Sequence, residues 1–343
     1  MSNSAIATKW KLGDFGSRPA VGAFEPEPDD MDLLGTKHGL GVQKSWIYGF
    51  LKDAAGLTYG IERNFVGSLT SGLFIMTQDG DPGRELNVHP DCGRSARGEL
   101  RRVLEGKTRR WSDPVFQRLP QGCFPAGEQS MDLEFSRDRL IYSEGDILAL
   151  EGVSAGLGMQ FFIPSLDRPL LYTSTCFWAT GVIQGQEVEG PLWFDNSYWR
   201  HGVEWKEYGY FLDSQIMWHV FCNKFDDGSF EWGHLVSGRN GFSPGVVIQS
   251  NGDVALTADT DAWFNLDEAG WPTEATFEVE GATYRMQAPV NGRMTEFSES
   301  RWAGYRAQVG QSRRDGDSRV LVGGLTWNEG FPVDRVGPDG KPA

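Results

Sequence analysis

Long apolar runs are what this chain most plainly lacks. Nowhere in its 343 residues do roughly eighteen consecutive apolar side chains occur, so no membrane-spanning helix is expected. The first residues, MSNSAIATKWKLGDFG, hold no apolar stretch of the secretory-signal type, and a cytoplasmic location is the simplest expectation. Cysteine is scarce as well. Cys92, Cys123, Cys176 and Cys222 stand far apart and form no CxxC pair, which provides neither a zinc knuckle nor a disulfide framework. Basic residues are outnumbered, leaving a formal charge of −15 and a pI near 4.8. An acidic surface of that size repels phosphate backbones and anionic headgroups, so neither nucleic acid nor membrane is an expected partner. No GxGxxG opens a helix after a strand and no GxSxG elbow occurs, so neither a nucleotide cofactor nor a serine-hydrolase triad is expected. No metal set stands out either: His201 and Glu204 have helical chelate spacing in a stretch that reads as strand and loop, with no third ligand.

What the chain does have is strand-forming sequence. Hydrophobic residues make up 39% and aromatic residues 13%, enough for sizeable cores and unlike a disordered chain. KSWIYGFLKD, LTYGIERNFV, SGLFIMTQD, MDLEFS and DILALEG are short, rich in β-branched and aromatic residues, and separated by turn residues. The second half repeats the texture, with turns expected at Asp227–Gly228, Asn240–Gly241, Asn251–Gly252 and Glu280–Gly281. SARGELRRVLEGK (95–107) fits a short helix or a strand pair around Glu105–Gly106. Long amphipathic helices are missing, which excludes a parallel α/β fold. The expectation is an all-β protein of two tandem antiparallel β-rich domains with little helix, built as closed barrels or strongly bent sandwiches. An irregular leader over 1–36, broken by Pro19, Pro26 and Pro28, precedes a first domain over 37–190 and a second over 191–335.

Candidate chemistry concentrates around the join of the two halves. Between Gly185 and Gly233 the chain carries Trp193, Trp199, Trp205, Trp218 and Trp232, with Asp195, Asn196, Tyr198, His201 and Glu204 close together among them. Hydration, dehydration and double-bond migration need a proton delivered at one atom and removed at another. Carboxylates, Tyr and His do this when a low-dielectric pocket moves their pKa toward the working pH. Asp195, Tyr198 and His201 are therefore candidate proton carriers and Asn196 a donor that orients a substrate oxygen. Glu204 adds a second carboxylate, and Trp199, Trp205 and Trp218 would wall the pocket. Strand alternation puts Trp193, Asp195 and Ser197 on one face and Phe194, Asn196 and Tyr198 on the other, so Asp195 and Asn196 share a pocket only if a bulge intervenes. Glu329, at the end of an apolar strand, is a candidate for a barrel mouth. His219, His234 and Cys222 read as core residues, and Asp226–Asp227–Gly228 as a plain hairpin turn.

Four segments together resemble a known group. KSWIYGF, GVIQGQEVEGPLWFDNSYWRHG, WHVFCNKFDDGSFEWG and GGLTWNEG follow the order and spacing, over most of residues 44–330, of the tandem lipocalin-like proteins. These are the carotenoid 1,2-hydratase, AttH-like, kievitone-hydratase-like and Diels–Alderase-like proteins. The resemblance implies two lipocalin-like barrels in one chain. It places Trp46 on the Trp-bearing strand of the first domain, and Trp327 and Glu329 on the closing strand. The chain departs from the family where an Asp-His-Ser-Trp motif is expected: it reads Asp195-Asn196-Ser197-Tyr198, so the family's acid/base histidine is absent there.

These observations favour an enzyme over a passive module: a cofactor-independent lyase or isomerase acting on a hydrophobic small molecule such as a terpenoid or phenolic. Asp195, Tyr198, His201 and Glu329 would handle protons, while Trp46, Asn196, Trp199, Glu204, Trp205, Trp218 and Trp327 would contact substrate. A homodimer is compatible with this reading. Two alternatives stay open, a non-catalytic carrier of an apolar ligand and a carbohydrate-active β-protein with paired carboxylates.

Overall fold

Alternation along the strands decides which side chains go inside. RLIYSE and LALEGVS bury every second residue, and each forms a strand, Arg139–Glu144 and Leu148–Ser154, with one face against a core. The computed structural model describes residues 19–93, 101–105, 108–118, 127–163, 169–202, 216–238, 242–301 and 303–332. Its strands make two curled antiparallel half-barrel sheets, of fourteen and nine strands among the described residues. Among the described residues helix is confined to short turns such as Thr295–Glu299, and no described helix is long and apolar enough to cross a membrane. Arg101–Glu105 pairs with Thr108–Arg118, so the strand-pair reading of that segment holds. The Asp227–Gly228, Asn251–Gly252 and Glu280–Gly281 turns join successive strands, each with its glycine at a positive φ that L side chains resist. Asn240–Gly241 lies outside the described residues.

Two features differ from the sequence reading. Ala20–Phe24, placed in an irregular leader, is a strand that pairs with Gly158–Ile163. The expected boundary between 190 and 191 falls inside the strand Gln186–Trp199, which is held along both sides in the first sheet. The aromatic stretch is thus split, and the second sheet begins at Met217.

The strands that carry the site are labelled in chain order: β1 Leu40–Asp53, β2 Thr58–Val66, β3 Leu170–Ile183 and β4 Gln186–Trp199 in the first sheet. In the second sheet they are β5 Met217–Phe225, β6 Phe230–Ser237, β7 Arg306–Arg314 and β8 Leu321–Gly330. Side by side they run β2-β1-β4-β3 and β6-β5-β8-β7. Each has two apolar faces. One fills its own half-barrel: Ile47, Ile61, Phe177, Leu192 and Phe194 in the first, Phe221, Leu235, Phe277 and Tyr284 in the second. The other faces of the two sheets pack on each other, with β1 and β4 against β8, and build one continuous core from Tyr48, Phe50, Trp193, Trp218, Trp232 and Trp327, among others. Gly49 of β1 shows how closely β1 and β4 approach: a Cβ there would stand 2.1 Å from the Pro191 carbonyl oxygen.

Candidate active site between the two sheets

The inter-sheet layer is mostly aromatic. Tyr48 stacks on Trp193 at 5.6 Å and meets Trp327 edge-on at 5.2 Å, while Phe50 stacks on Trp327 at 4.9 Å. Further along, Tyr172 stacks on Phe161 at 5.0 Å and stands edge-on to Trp218 at 4.9 Å. Such pairs add about 0.5–1.5 kcal/mol each beyond the apolar area they bury, so the halves are docked by ring packing.

Two carboxyls interrupt this layer. Asp195 sits mid-strand on β4 between Ser174 of β3 and Trp46 of β1, its cross-strand neighbours. It is 1% exposed and accepts a hydrogen bond from the Tyr172 hydroxyl. Burial lifts its pKa from 3.8 to about 7, against the opposing pull of the Ser174, Tyr172 and Tyr48 hydroxyls, and the Glu329 charge lifts it further. Of those three hydroxyls only that of Tyr172 completes a bond of full geometry: Ser174 Oγ, Tyr48 Oη and Asp195 Oδ1 are buried without a partner. Glu329, on β8 of the facing sheet, is half-buried. It accepts hydrogen bonds from the Tyr305 hydroxyl and, at 2.7 Å, from Trp327 Nε1. Burial raises its pKa too, while both donors and Arg301 hold it down. Tyr48 is shared ground, since after burial itself the charges of Asp195 and Glu329 both push its hydroxyl well above the usual tyrosine range.

Behind Glu329 a cation bridges the two halves. Arg301 pairs with Glu62 of β2 and lies over the rings of Phe297 and Phe74, 4.5 and 5.0 Å from their centroids. An open cleft of about 630 Å³ lies on the same seam, lined by Thr58 and Gln78 from the first half and by Gln287, Asn291, Val309 and Leu325 from the second. Val309 and Leu325 also belong to the core that holds Trp327, so the cleft adjoins the aromatic layer.

The candidates from sequence separate cleanly. Asp195, Glu329, Trp199, Trp218 and Trp327 meet in this layer, and Trp46 packs against its edge. Asn196 faces the other way: it accepts from the Ser45 hydroxyl, and its amide donates to the Asp30 carbonyl at 3.0 Å, tying the Pro28–Met31 turn to the sheet. Tyr198 also faces away and packs on Val42 and Leu171. A bulge does occur, but between Ser197 and Tyr198, too late to turn Asn196 toward Asp195. His201 is exposed, with Nδ1 3.3 Å from the Gln43 side-chain oxygen. Glu204 and Trp205 lie outside the described residues. His219 stacks on Phe277 at 4.7 Å inside the second half-barrel, and burial lowers its pKa to about 3. Tyr48, Tyr172, Ser174, Tyr305 and Arg301 were not foreseen. Only Tyr48 had a sequence signal, its position two residues from Trp46 on the same strand face.

Asn196→Ala is expected to lower stability by about 1–3 kcal/mol, because it orphans the Ser45 hydroxyl and the Asp30 carbonyl. Urea unfolding alongside a turnover assay checks this, with kcat expected to stay within threefold. A loss confined to kcat would place Asn196 in the chemistry instead.

Two curled antiparallel half-barrel sheets in one chain fit the tandem lipocalin-like fold. Among solved structures, the chain is similar to a Nitrosomonas europaea protein proposed to be an AttH, with a TM-score of 0.50 at 12% identity, covering 90% of this chain and 98% of that one. It is also similar to kievitone hydratase from Nectria haematococca, with a TM-score of 0.41 at 10% identity, covering 89% and 97%. The first likeness shows a shared fold. No family model and no curated protein matches the sequence.

Proposed function

We propose that this protein is a lyase or isomerase that moves protons on a hydrophobic small molecule, such as a terpenoid or phenolic, held between the two sheets. One observation carries the reading: Asp195 and Glu329, from facing sheets, have raised pKa values and tyrosine donors within a single aromatic layer. With a pKa of about 7, Asp195 is near its midpoint at neutral pH and gives up or takes a proton at little cost. Half-buried Glu329 exchanges protons with solvent more readily, which suits it to restore the starting state. Tyr48, lying in the fields of both, is placed to hold a substrate oxygen.

Turnover of an isoprenoid and phenylpropanoid panel tests this. Asp195→Asn and Glu329→Gln are each expected to lower kcat about 10²–10⁴-fold on whichever compound is converted. His201→Ala, at an exposed position, is expected to leave it unchanged. Full activity in all three variants would remove the assignment, and tight binding without turnover across the panel would make the protein a carrier.

A further inference from the structure

Resting on the reading of Glu329 as a proton carrier, we propose that Arg301 is a positioning residue of the site: its fixed positive charge offsets that of Glu62 and lets Glu329 ionise close to a second carboxylate.

The register brings that second carboxylate into the layer. Glu62 of β2 is opposite Tyr48 of β1 on one side and Phe74 of the strand Leu69–Thr77 on the other. Residues directly opposite share a sheet face, so Glu62 lies on the face that meets the second half. It is 6% exposed and accepts from the Asn64 amide at 2.6 Å. Glu329 comes from the facing sheet, and one set of rings links the two acids. Trp327, whose indole N–H holds Glu329, meets Tyr48 edge-on at 5.2 Å and Phe297 edge-on at 5.9 Å. Phe297 in turn carries Arg301, 4.5 Å from its centroid.

With Asp195, the layer holds three carboxyl groups. Arg301 is the guanidinium set among them, and Lys44 stands over Trp46 at the edge, 5.2 Å from the ring. Among the described residues, the groups that feel the charge of Glu329 are Tyr48, Tyr172, Asp195, Tyr305 and Arg301. A guanidinium keeps its proton at every working pH, so the Arg301 charge is permanent.

The bonding around Arg301 is looser than a clamp requires. Arg63 and Glu144 meet through two bonds, whereas Arg301 reaches Glu62 through a single outer nitrogen, and its Nε is buried without a partner. The rings of Phe297 and Phe74 hold the cation where its field reaches both carboxyls. Burial is the largest influence on Glu329 and raises its pKa. Beyond the two hydrogen-bond donors, the Glu62 charge raises it further and the Arg301 charge lowers it. Without the cation two like charges would face each other, and one of them would take up a proton.

Two substitutions separate this role from a mechanical one. Arg301→Met and Glu62→Gln break the same contact across the seam, so a residue that only held the halves together would give both variants the same behaviour. Removing a cation and removing an anion act on Glu329 in opposite senses. The probe is the carboxyl carbon of Glu329 in protein labelled with ¹³C-glutamate, assigned by its loss in Glu329→Gln and followed with pH. Its midpoint is expected to rise in Arg301→Met, to fall in Glu62→Gln, and to stay close to wild type in Arg301→Lys, which keeps the charge. If Arg301→Met does not fold, the double variant Arg301→Met with Glu62→Gln, which leaves neither partner unmatched, takes its place. Its midpoint is expected to lie above that of Glu62→Gln.

A midpoint that moves the same way in both single variants, or in neither, would overturn the proposal. So would a double variant that titrates with Glu62→Gln. These readings need no turnover. On a compound that is converted, the pH profile of kcat is expected to shift in the same two directions. Opposite midpoint shifts together with full activity in Glu329→Gln would keep the charge role and discard the proton transfer. Shifts of one sign, with activity lost in Glu329→Gln, would do the reverse.

Discussion

Asp195→Asn is expected to be about 4 kcal/mol more stable than wild type above pH 7 and close to it below pH 4, while losing turnover. The sign follows from the raised pKa, 3.8 in the unfolded chain against about 7 in the folded one. Below pH 3.8 both states hold the proton and the buried carboxyl costs nothing in charge. Between 3.8 and 7 the unfolded chain releases its proton while folded Asp195 keeps it, so stability falls by about 1.4 kcal/mol per pH unit. Above 7 both states are ionised and the folded chain carries the whole penalty, about 4 kcal/mol. Asparagine keeps the hydrogen bond from Tyr172 and does not titrate. Urea unfolding of both proteins at pH 4, 5.5 and 8 measures this. Parallel stability curves would show that Asp195 is not held in the low-dielectric layer described. The raised groups at Glu231 and Glu329 titrate in both proteins and largely cancel in the comparison.

The second large effect is expected inside the first half-barrel. Arg63 and Glu144 are both fully buried and meet through two bonds of 2.7 Å, Nε to Oε1 and an outer nitrogen to Oε2. Tyr142 donates a third bond to Glu144 at 2.6 Å. The pair ties β2 to Arg139–Glu144 across the curl of the sheet, in the core formed by Ile61, Phe65 and Leu140. Arg63→Met is expected to cost about 3–5 kcal/mol because it strands an ionised carboxylate in that core, and Glu144→Leu a similar amount. The double replacement is expected to recover most of the loss, since an apolar pair of similar volume needs no solvation. Chemical denaturation of the three variants decides it. Single changes costing under about 1 kcal/mol, or a double variant as poor as the sum, would mean the pair is not desolvated as drawn.

The sequence made the architecture readable because both of its signals are local. A period of two appears plainly in LALEGVS, and the glycines of the Asp227–Gly228, Asn251–Gly252 and Glu280–Gly281 turns mark where strands reverse. Asp195 and Glu329 were reachable as carboxylates embedded in aromatic strands. Asn196 and Tyr198 were drawn into the site by nearness in sequence, although the same period of two puts them on the opposite face from Asp195. The partners of the acids were out of reach for another reason. Tyr172 and Ser174 come to Asp195 through a long hairpin, and Tyr305 and Arg301 come to Glu329 and Glu62 from the second half. Residue types alone do not encode which sheet face meets which. His219 and His234 were read as core residues and are so by burial.

No β-ladder among the described residues crosses from one half to the other; the halves meet through interlocking rings, the Arg301–Glu62 pair and single hydrogen bonds such as that from the Leu86 amide to the Arg293 carbonyl. A hydrogen-bonded lattice changes only in whole-residue steps, whereas a packed surface yields continuously. Trimming or enlarging a side chain such as Trp178, which lies against Gly323 at one edge of the layer, would tilt one half on the other by a fraction of an ångström. Both barrels would stay intact. On the proposed function, the ligand length accepted between the halves would then be retuned from positions that never touch the ligand.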